Sequence, residues 1–442
     1  MKLISYQETI NYLYSLLPMY QREGQAALKK DLTNTLLLCE ALGHPEQQFR
    51  SILIGGTNGK GSVSSMLHSI CVQAGYKVGL YTSPHLLDFT ERIRINQQNI
   101  SQQDIMDFVN QHQDLIERIR PSFFEFTVAM AFDYFARNEV DLAVVEVGLG
   151  GRLDSTNVLK PLVSVITNVS YDHMEMLGDT LEAIAGEKAG IIKQDIPVII
   201  GETHPETASI FLSYAKSVHT AIHFADQCFR AGQISNQWEQ AVFEVTDLRN
   251  DQKQTFTLDL PGTYQKYNVV TTLKVVEELR NLGLELPLET VRSGLRQVKR
   301  IAGLKGRMDV LSTNPLVLTD TAHNVAGVEQ LANQLKVLPA SRKYIVWGMV
   351  REKKHDEILR LLPQDAYFIF VRPDIPRGFQ ADALLEISRM QHKKGETAST
   401  VAEGVQKALT LAQEDDVILI GGSTFVIAEV LSQSTELFGS VD

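Results

Sequence analysis

One stretch carries the strongest chemical signal in the chain: Gly56-Thr-Asn-Gly-Lys-Gly-Ser62. Glycines let a backbone approach an anion and aim several N–H groups at it, and a helix N-terminus behind them adds a favourable dipole. Lys60 supplies a positive charge for the outer phosphates of a nucleotide, and Ser62 (or Ser64) a hydroxyl for a phosphate or a metal ion. The spacing differs from the standard phosphate loop: Ile54 stands where its first glycine belongs, and Gly61 separates Lys60 from Ser62. A glycine turn ahead of an ordinary helix is the alternative. The apolar Ile52-Leu-Ile54 before it and the amphipathic Val63–Ile70 after it supply the strand–loop–helix setting that a phosphate needs.

In an open α/β sheet, ligands bind beyond the carboxyl ends of the strands. Thr82, Ser83 and His85 follow a second apolar run, Glu146 ends a third, and Asn168, Asp172 and His173 follow a fourth. Built into one sheet, these groups converge with the glycine loop on one crevice. Glu146 terminates an otherwise apolar strand, so its carboxylate needs a cation or a hydrogen-bond network. Metal ligation and an ion pair with Arg152 both meet that need. His173 reads either as a satisfied core histidine or, beside Asp172, as a ligand. Magnesium prefers oxygen, so an imidazole ligand to it would be unusual. Lys188 reads as a surface lysine or, if carbamylated by CO2, as one more oxygen ligand at a metal site.

The elements that must position these groups follow from periodicity. Helices are expected over 4–20 and 36–42, the latter stopped by Gly43 before Pro45, with a polar stretch at 22–35 between them. Further helices are expected over 102–120, 125–137 and 180–193, the last capped by Asp179. Strands are expected at 77–81, 141–147, 162–167 and 196–200. The run Asp141–Val147 is almost continuously apolar, as a parallel strand buried on both faces should be. An antiparallel pair at 241–245 and 255–260, then helices at 266–283 and 287–298, complete a first domain of residues 1–300. From 301 to 442 strands and helices alternate again without a GxGxxG turn, giving a smaller Rossmann-like domain. The expected fold class is therefore α/β: an N-terminal phosphate-loop domain with a doubly wound, mostly parallel sheet, plus a smaller C-terminal Rossmann-like α/β domain.

With 442 residues, 44% hydrophobic and 21% charged, the chain has room for two or three domains of soluble type. A formal net charge of −11 argues against a general nucleic-acid or membrane-surface binder, since both partners are polyanions. The cysteines Cys39, Cys71 and Cys228 lack metal spacing and point to a reducing compartment. With no signal-peptide core and no run of about 18 apolar residues, a cytoplasmic protein is expected.

Taken together, Gly56–Ser62, Thr82-Ser-Pro-His-Leu86, Glu91-Arg-Ile-Arg-Ile-Asn96, Phe123-Phe-Glu-Phe-Thr127, Glu146–Asn157, Asn168–Gly178 and Asp320-Thr-Ala-His-Asn324 resemble the folylpolyglutamate synthase and bifunctional dihydrofolate synthase family of the Mur ligase superfamily. The resemblance runs over essentially the whole chain. It implies ATP bound between the domains, with its phosphates on Asn58, Gly59, Lys60, Gly61 and Ser62. It implies Mg2+ held by Ser83, Glu146 and His173, a carbamylated Lys188, and further ATP contacts from Asn268, Arg307 and Asp320. His323 would lie close to the reacting groups, making Lys60, Lys188 and His323 the catalytic set. Phe124 and Glu125, with Arg152, Leu153 and Asp154, would line the pterin–folate side. The sequence departs from the family at Tyr264, where histidine is usual, at Val325 and Lys305, where proline is usual, and at 31–35, which lacks the usual Gly and Arg of the pteroate-binding loop.

The implied reaction is ATP-dependent addition of L-glutamate to a reduced folate through an acyl phosphate, by a monomer, with dihydropteroate as a second acceptor that the resemblance allows. Two rivals remain. A sister ligase acting on cell-wall precursors would need a uridine-binding domain in the roughly fifty residues before the loop, too few at ordinary domain size. A non-ligase ATPase would keep the loop and a metal carboxylate but would have no use for Asp320 or His323.

Overall fold

The computed structural model describes residues 3–19 and 31–439. The expected polar stretch at 22–35 lies outside the described residues up to Lys30. Among the described residues seventeen strands form three sheets. The first sheet contains β1 (Arg50–Gly55), β2 (Val78–Tyr81), β3 (Ile93–Ile95), β4 (Gln98–Asn99), β5 (Leu142–Glu146), β6 (Val163–Ile166), β7 (Val198–Ile200) and β8 (Ile222–Phe224). Their order is β4-β3-β2-β5-β1-β6-β7-β8. The pairs from β2 to β8 are parallel, and β3 and β4 are antiparallel additions at one edge.

This order fixes where a ligand can bind. The chain leaves β1 toward β2, fills the gap with β5, and then crosses to β6 on the opposite side of β1. The carboxyl end of β1 is thus the topological switch point, where neighbouring loops part and leave a crevice. In register, Ile54 lies beside Glu146 on one flank and Gly55 beside Ile166 on the other.

Burial explains why these segments are strands. Ile52, Leu53 and Ile54 are fully buried, as are Val144 and Val145. Each such side chain contributes about 1.5–3 kcal/mol on leaving water. The helix Phe123–Arg137 supplies Phe126, Phe132 and Phe135 to the same core. It begins with a capping box in which Ser122 and Glu125 satisfy each other's backbone N–H groups.

β9 (Phe229–Asn236), β10 (Ala241–Asp247) and β11 (Gln252–Leu258) form a three-stranded sheet. The last six strands are β12 (Arg307–Thr313), β13 (Leu316–Asp320), β14 (Lys343–Trp347), β15 (Tyr367–Phe370), β16 (Lys394–Thr397) and β17 (Val417–Gly421). They are ordered β12-β13-β17-β14-β15-β16, parallel apart from the antiparallel β12 edge. Helices Val325–Lys336, His355–Leu361 and Ala381–Met390 pack on this sheet around Leu331, Leu335, Ile358 and Leu384. The fold is α/β, with a large, mostly parallel first sheet and a second, Rossmann-like one.

By Cα proximity the chain forms two compact units. One comprises residues through Gly232 with Phe243–Leu258 and Lys266–Leu304; the other comprises Gln233–Val242, Asp259–Gln265 and everything from Lys305. Neither unit is one continuous stretch of sequence.

Several elements differ from expectation. The first helix runs only Tyr6–Leu16, because Ser5 caps it and Pro18 follows its end. The expected helix 102–120 is two, Gln102–Gln111 and Gln113–Ile119, broken at His112. The helix expected at 180–193 is Leu181–Ala189, and its cap is Thr180 rather than Asp179: the threonine hydroxyl accepts from Ala183 N. The helix expected at 287–298 is likewise two, Leu288–Leu295 and Val298–Ala302. The expected antiparallel pair is part of three strands, because β9 was hidden by mixed polarity in Phe229–Asn236. β3, β4, β8, β12 and β16 were unexpected. Four of them are edge strands of irregular or polar sequence, and β3 is only three residues long.

Candidate active site

The phosphate loop leaves β1 at Gly55 and enters the helix Lys60–Gln73. Gly59 caps that helix at φ 84°, in the left-handed region, and a Cβ there would overlap Oδ1 of Asn268. Gly56, at φ 138°, packs equally tightly against Thr167. Glycine is required at both positions.

The loop is laced to the segment after β6. Thr57 N donates to Asn168 O (2.9 Å), Thr57 Oγ1 donates to Ser170 O (3.2 Å), and Thr167 Oγ1 donates to Asn58 O (2.6 Å). Lys60 folds back over the loop, its Nζ donating to Gly56 O (3.2 Å) and Thr57 O (3.1 Å). Its charge therefore lies over the glycine turn. The hydroxyls of Ser62 and Ser64 are buried and make no hydrogen bond among the described residues. A buried hydroxyl without a partner is costly, and an anion or a cation at the loop would satisfy it.

Glu146 ends β5, is 5% exposed, and accepts from Ser83 N (3.3 Å). Asp172 accepts from His173 N (2.9 Å), and its other oxygen is 3.9 Å from His173 Nε2. Lys188 is buried in the helix Leu181–Ala189. Burial pulls its ammonium down to about 7, the charge of Lys60 acts in the same direction, and Asp172 opposes it. A substantial fraction of Lys188 is therefore a neutral amine near neutral pH.

Among the described residues no three His, Cys, Asp or Glu side chains are grouped as a metal site. The expected set of Ser83, Glu146 and His173 holds only two such residues and depends on a serine hydroxyl. Its donors, one carboxylate and one hydroxyl with a single imidazole, suit a hard divalent cation that also takes phosphate oxygens and water. The orphan hydroxyl of Ser62 adds a further oxygen on the same sheet end. The residues present fit such an ion.

The loop Gly148–Thr156 is organised by its own acid. Asp154 is buried and accepts from Leu149 N (2.8 Å), Thr156 N (3.0 Å) and Thr156 Oγ1 (2.5 Å). Burial raises its carboxyl while these hydrogen bonds lower it. Arg152 forms its ion pair with Glu187 (2.7 Å), not with Glu146. Phe124 is half-buried, 6.2 Å from the Tyr81 ring, and lies where a side chain on Gly148 would sit. Leu153 is exposed. Glu125 is 3% exposed and, beyond its capping role, accepts from Asn34 Nδ2 (3.2 Å).

In the second unit Asp320 ends β13. It accepts from Tyr264 Oη (2.8 Å), Met308 N (3.2 Å) and Ala322 N (2.9 Å). Burial raises its carboxyl, and the nearby Arg307 charge lowers it. Arg307 also donates to Gly306 O (2.8 Å) and to Thr321 Oγ1. His323 pairs with Thr321 O through Nδ1 (2.9 Å), and Asn324 caps the next helix by accepting from Gly327 N (2.8 Å).

Lys60, Ser62, Ser83, Glu146, Lys188 and Asn268 thus belong to the first unit, and Arg307, Asp320 and His323 to the second. The sequence reading missed the Tyr264–Asp320 bond and the contribution of Glu202, whose Oε1 accepts from Asn168 Nδ2 (2.9 Å). Glu202 stands two residues beyond β7, so the rule that polar groups after strand ends face the ligand would have found it.

The chain matches the Mur ligase middle domain over residues 54–276 and the Mur ligase glutamate ligase domain over 306–424. It is 34% identical to dihydrofolate synthase/folylpolyglutamate synthase of Bacillus subtilis, covering 96% of this chain and 98% of that protein. Solved structures agree. Escherichia coli FolC in complex with DHPP and ADP superposes with a TM-score of 0.84 at 29% identity, covering 98% of each chain. A bifunctional folylpolyglutamate synthase/dihydrofolate synthase with Mn, AMPPNP and L-glutamate bound superposes with a TM-score of 0.83 at 28% identity, again over 98% of each. The chain belongs to the folylpolyglutamate synthase/dihydrofolate synthase family of Mur ligases, a class of ATP-dependent ligases. No described helix is long and apolar enough to cross a membrane.

Proposed function

We propose that this chain adds L-glutamate to reduced folates at the expense of ATP, with residues 1–300 as the nucleotide-binding part carrying the folate-binding loops and residues 301–442 as the glutamate-ligase part. The observation that supports this most directly is the glycine loop at the switch point, with Lys60 folded over it and the Ser62 hydroxyl buried without a partner.

A carboxylate is a poor electrophile. Transfer of the γ-phosphoryl group to a folate carboxylate gives an acyl phosphate and ADP; the glutamate amine then attacks the carbonyl carbon, and inorganic phosphate leaves. Such transfer depends mainly on positioning and charge stabilisation. Asn58, Gly59, Gly61 and Ser62 hold the phosphates, and Lys60 offsets the charge spreading over the transferring group. Asn268, Arg307 and Asp320 hold the rest of the nucleotide. Ser83, Glu146 and His173 would hold Mg2+, which when bound neutralises phosphate oxygens. Lys188, held as a partly neutral amine, reacts with CO2 to give a carbamate and a proton, turning a cation into an oxygen ligand. His323 stands near the reacting carboxylate and amine. Phe124, Glu125, Arg152, Leu153 and Asp154 form the folate side; there Asp154 shapes the loop while Leu153 offers apolar surface.

No covalent enzyme intermediate is needed, so no serine or cysteine nucleophile is called for. Glutamate incorporation, followed in parallel with tetrahydrofolate and with dihydropteroate, tests the reading. ADP release should require both glutamate and a pteridine acid. ATP turnover with neither would sink it in favour of a simple ATPase.

A further inference from the structure

We propose that Glu202 is a positioning residue for the nucleotide, acting by locking the side-chain amide of Asn168 in the orientation that the phosphate loop requires. The inference rests on the reading of Gly56–Ser62 as the nucleotide site.

A side-chain amide has an accepting end and a donating end of almost equal size, so packing alone does not choose between its two orientations. At Asn168 the choice matters. Its Oδ1 accepts from Asn58 N (3.0 Å), inside the phosphate loop. Turned over, its NH2 group would face that N–H, donor against donor. Its Nδ2 donates to Glu202 Oε1 (2.9 Å). An ionised carboxylate only accepts, so Glu202 permits one orientation and forbids the other.

Glu202 is placed to do this by the sheet. β6 and β7 are parallel neighbours with Ile166 beside Ile200, so the residues two places beyond each register pair, Asn168 and Glu202, emerge side by side. Glu202 is half-buried. Its carboxyl is raised above the usual range, chiefly by burial with Asp226 adding to it; the Asn168 hydrogen bond and the Lys266 charge favour the ionised form and offset part of that rise. Asn168 also accepts from Thr57 N through its backbone (2.9 Å), so loop, β6 segment and Glu202 form one connected line. Among the described residues Glu202 makes no hydrogen bond to Gly56–Ser62 itself; its influence on the loop passes through Asn168.

The test is nucleotide affinity in the full-length protein, measured with a fluorescent non-hydrolysable ATP analogue, alongside KM for ATP and kcat for glutamate addition. Glu202→Met keeps the size and removes the acceptor; it should weaken analogue binding about tenfold and raise KM for ATP more than it lowers kcat. Glu202→Gln can donate as well as accept, so it keeps an acceptor but no longer forbids the turned amide, and its loss should fall between wild type and Glu202→Met. Asn168→Ala should itself weaken binding about tenfold, and adding Glu202→Met to it should cost less than about twofold more, because the path is already cut. Wild-type affinity in Glu202→Met, or the same loss from it in both backgrounds, overturns the proposal. Wild-type affinity in Asn168→Ala overturns it even if Glu202→Met does not fold. Binding is read with nucleotide alone, so a wild-type chain that binds ATP but adds no glutamate refutes the ligase reading and leaves this comparison intact.

Discussion

Gly59 and Asn268 compete for the same small volume: the space a Cβ on Gly59 would need is filled by the Asn268 side-chain oxygen. The two are far apart in sequence, and Asn268 lies in the first turn of the helix Gln265–Asn281, 6% exposed. The phosphate loop is therefore shaped by a later helix as well as by its own glycines. Gly59→Ala should reduce ATP affinity by at least about tenfold and lower stability by about 1–2 kcal/mol, the ordinary cost of left-handed backbone for an L-residue. Titration with an ATP analogue and urea unfolding measure the two effects; unchanged affinity would mean that the loop does not meet the phosphates.

Lys60 is held by loop carbonyls at 3.1–3.2 Å and is half-buried. Lys60→Ala should lower kcat for glutamate ligation by about a hundredfold or more, as removal of a group stabilising transferring charge does elsewhere. Its thermal midpoint should stay close to wild type, since no ion pair among the described residues is broken. Near-normal turnover in this variant would remove the basis of the acyl-phosphate scheme.

Lys188, with its ammonium brought down to about 7, is partly the free amine, the form that the proposed carbamylation by CO2 requires. Raising the pH through 7 increases that fraction, so carbamate formation should rise with pH at constant dissolved CO2. Carbon NMR after addition of 13C-labelled bicarbonate should give a carbamate signal in the wild type and none in Lys188→Ala. The variant should lose activity and recover part of it with added acetate, a small carboxylate that can occupy the vacated space. A wild-type spectrum without that signal would return Lys188 to a structural role.

His68 lies fully buried in the helix Lys60–Gln73, with Nε2 donating to Asn96 O (2.7 Å) beside the start of β2. Burial pulls its imidazole from 6.5 to about 4. The unfolded chain thus takes up the proton first as pH falls. The contribution of this group is complete above its unfolded value and is lost as pH drops from 6.5 toward 4. Between pH 7 and pH 5 that loss is about 2 kcal/mol. His68→Gln should lose correspondingly less stability over the same interval in urea unfolding. Identical pH slopes would show that His68 is not held neutral.

The sequence by itself determined the chemistry-bearing segments and their order. Residue type alone places Gly56–Ser62 after an apolar strand, Glu146 at the end of Asp141–Val147, and Asp320–Asn324 after Leu316–Thr319, because buried parallel strands are written as apolar runs and the chain turns polar where they end. The same rule predicted the parallel cores of both sheets. It failed at the edges, where β3, β4, β8, β12 and β16 carry too little apolar periodicity to stand out from loops. Only the tertiary structure decided which partners those segments meet. Glu187 rather than Glu146 takes Arg152, Asp320 accepts from Tyr264, and Glu202 orients Asn168. Partner choice depends on strand order and register, and these are set by the packing of residues distant in sequence, which no local pattern records.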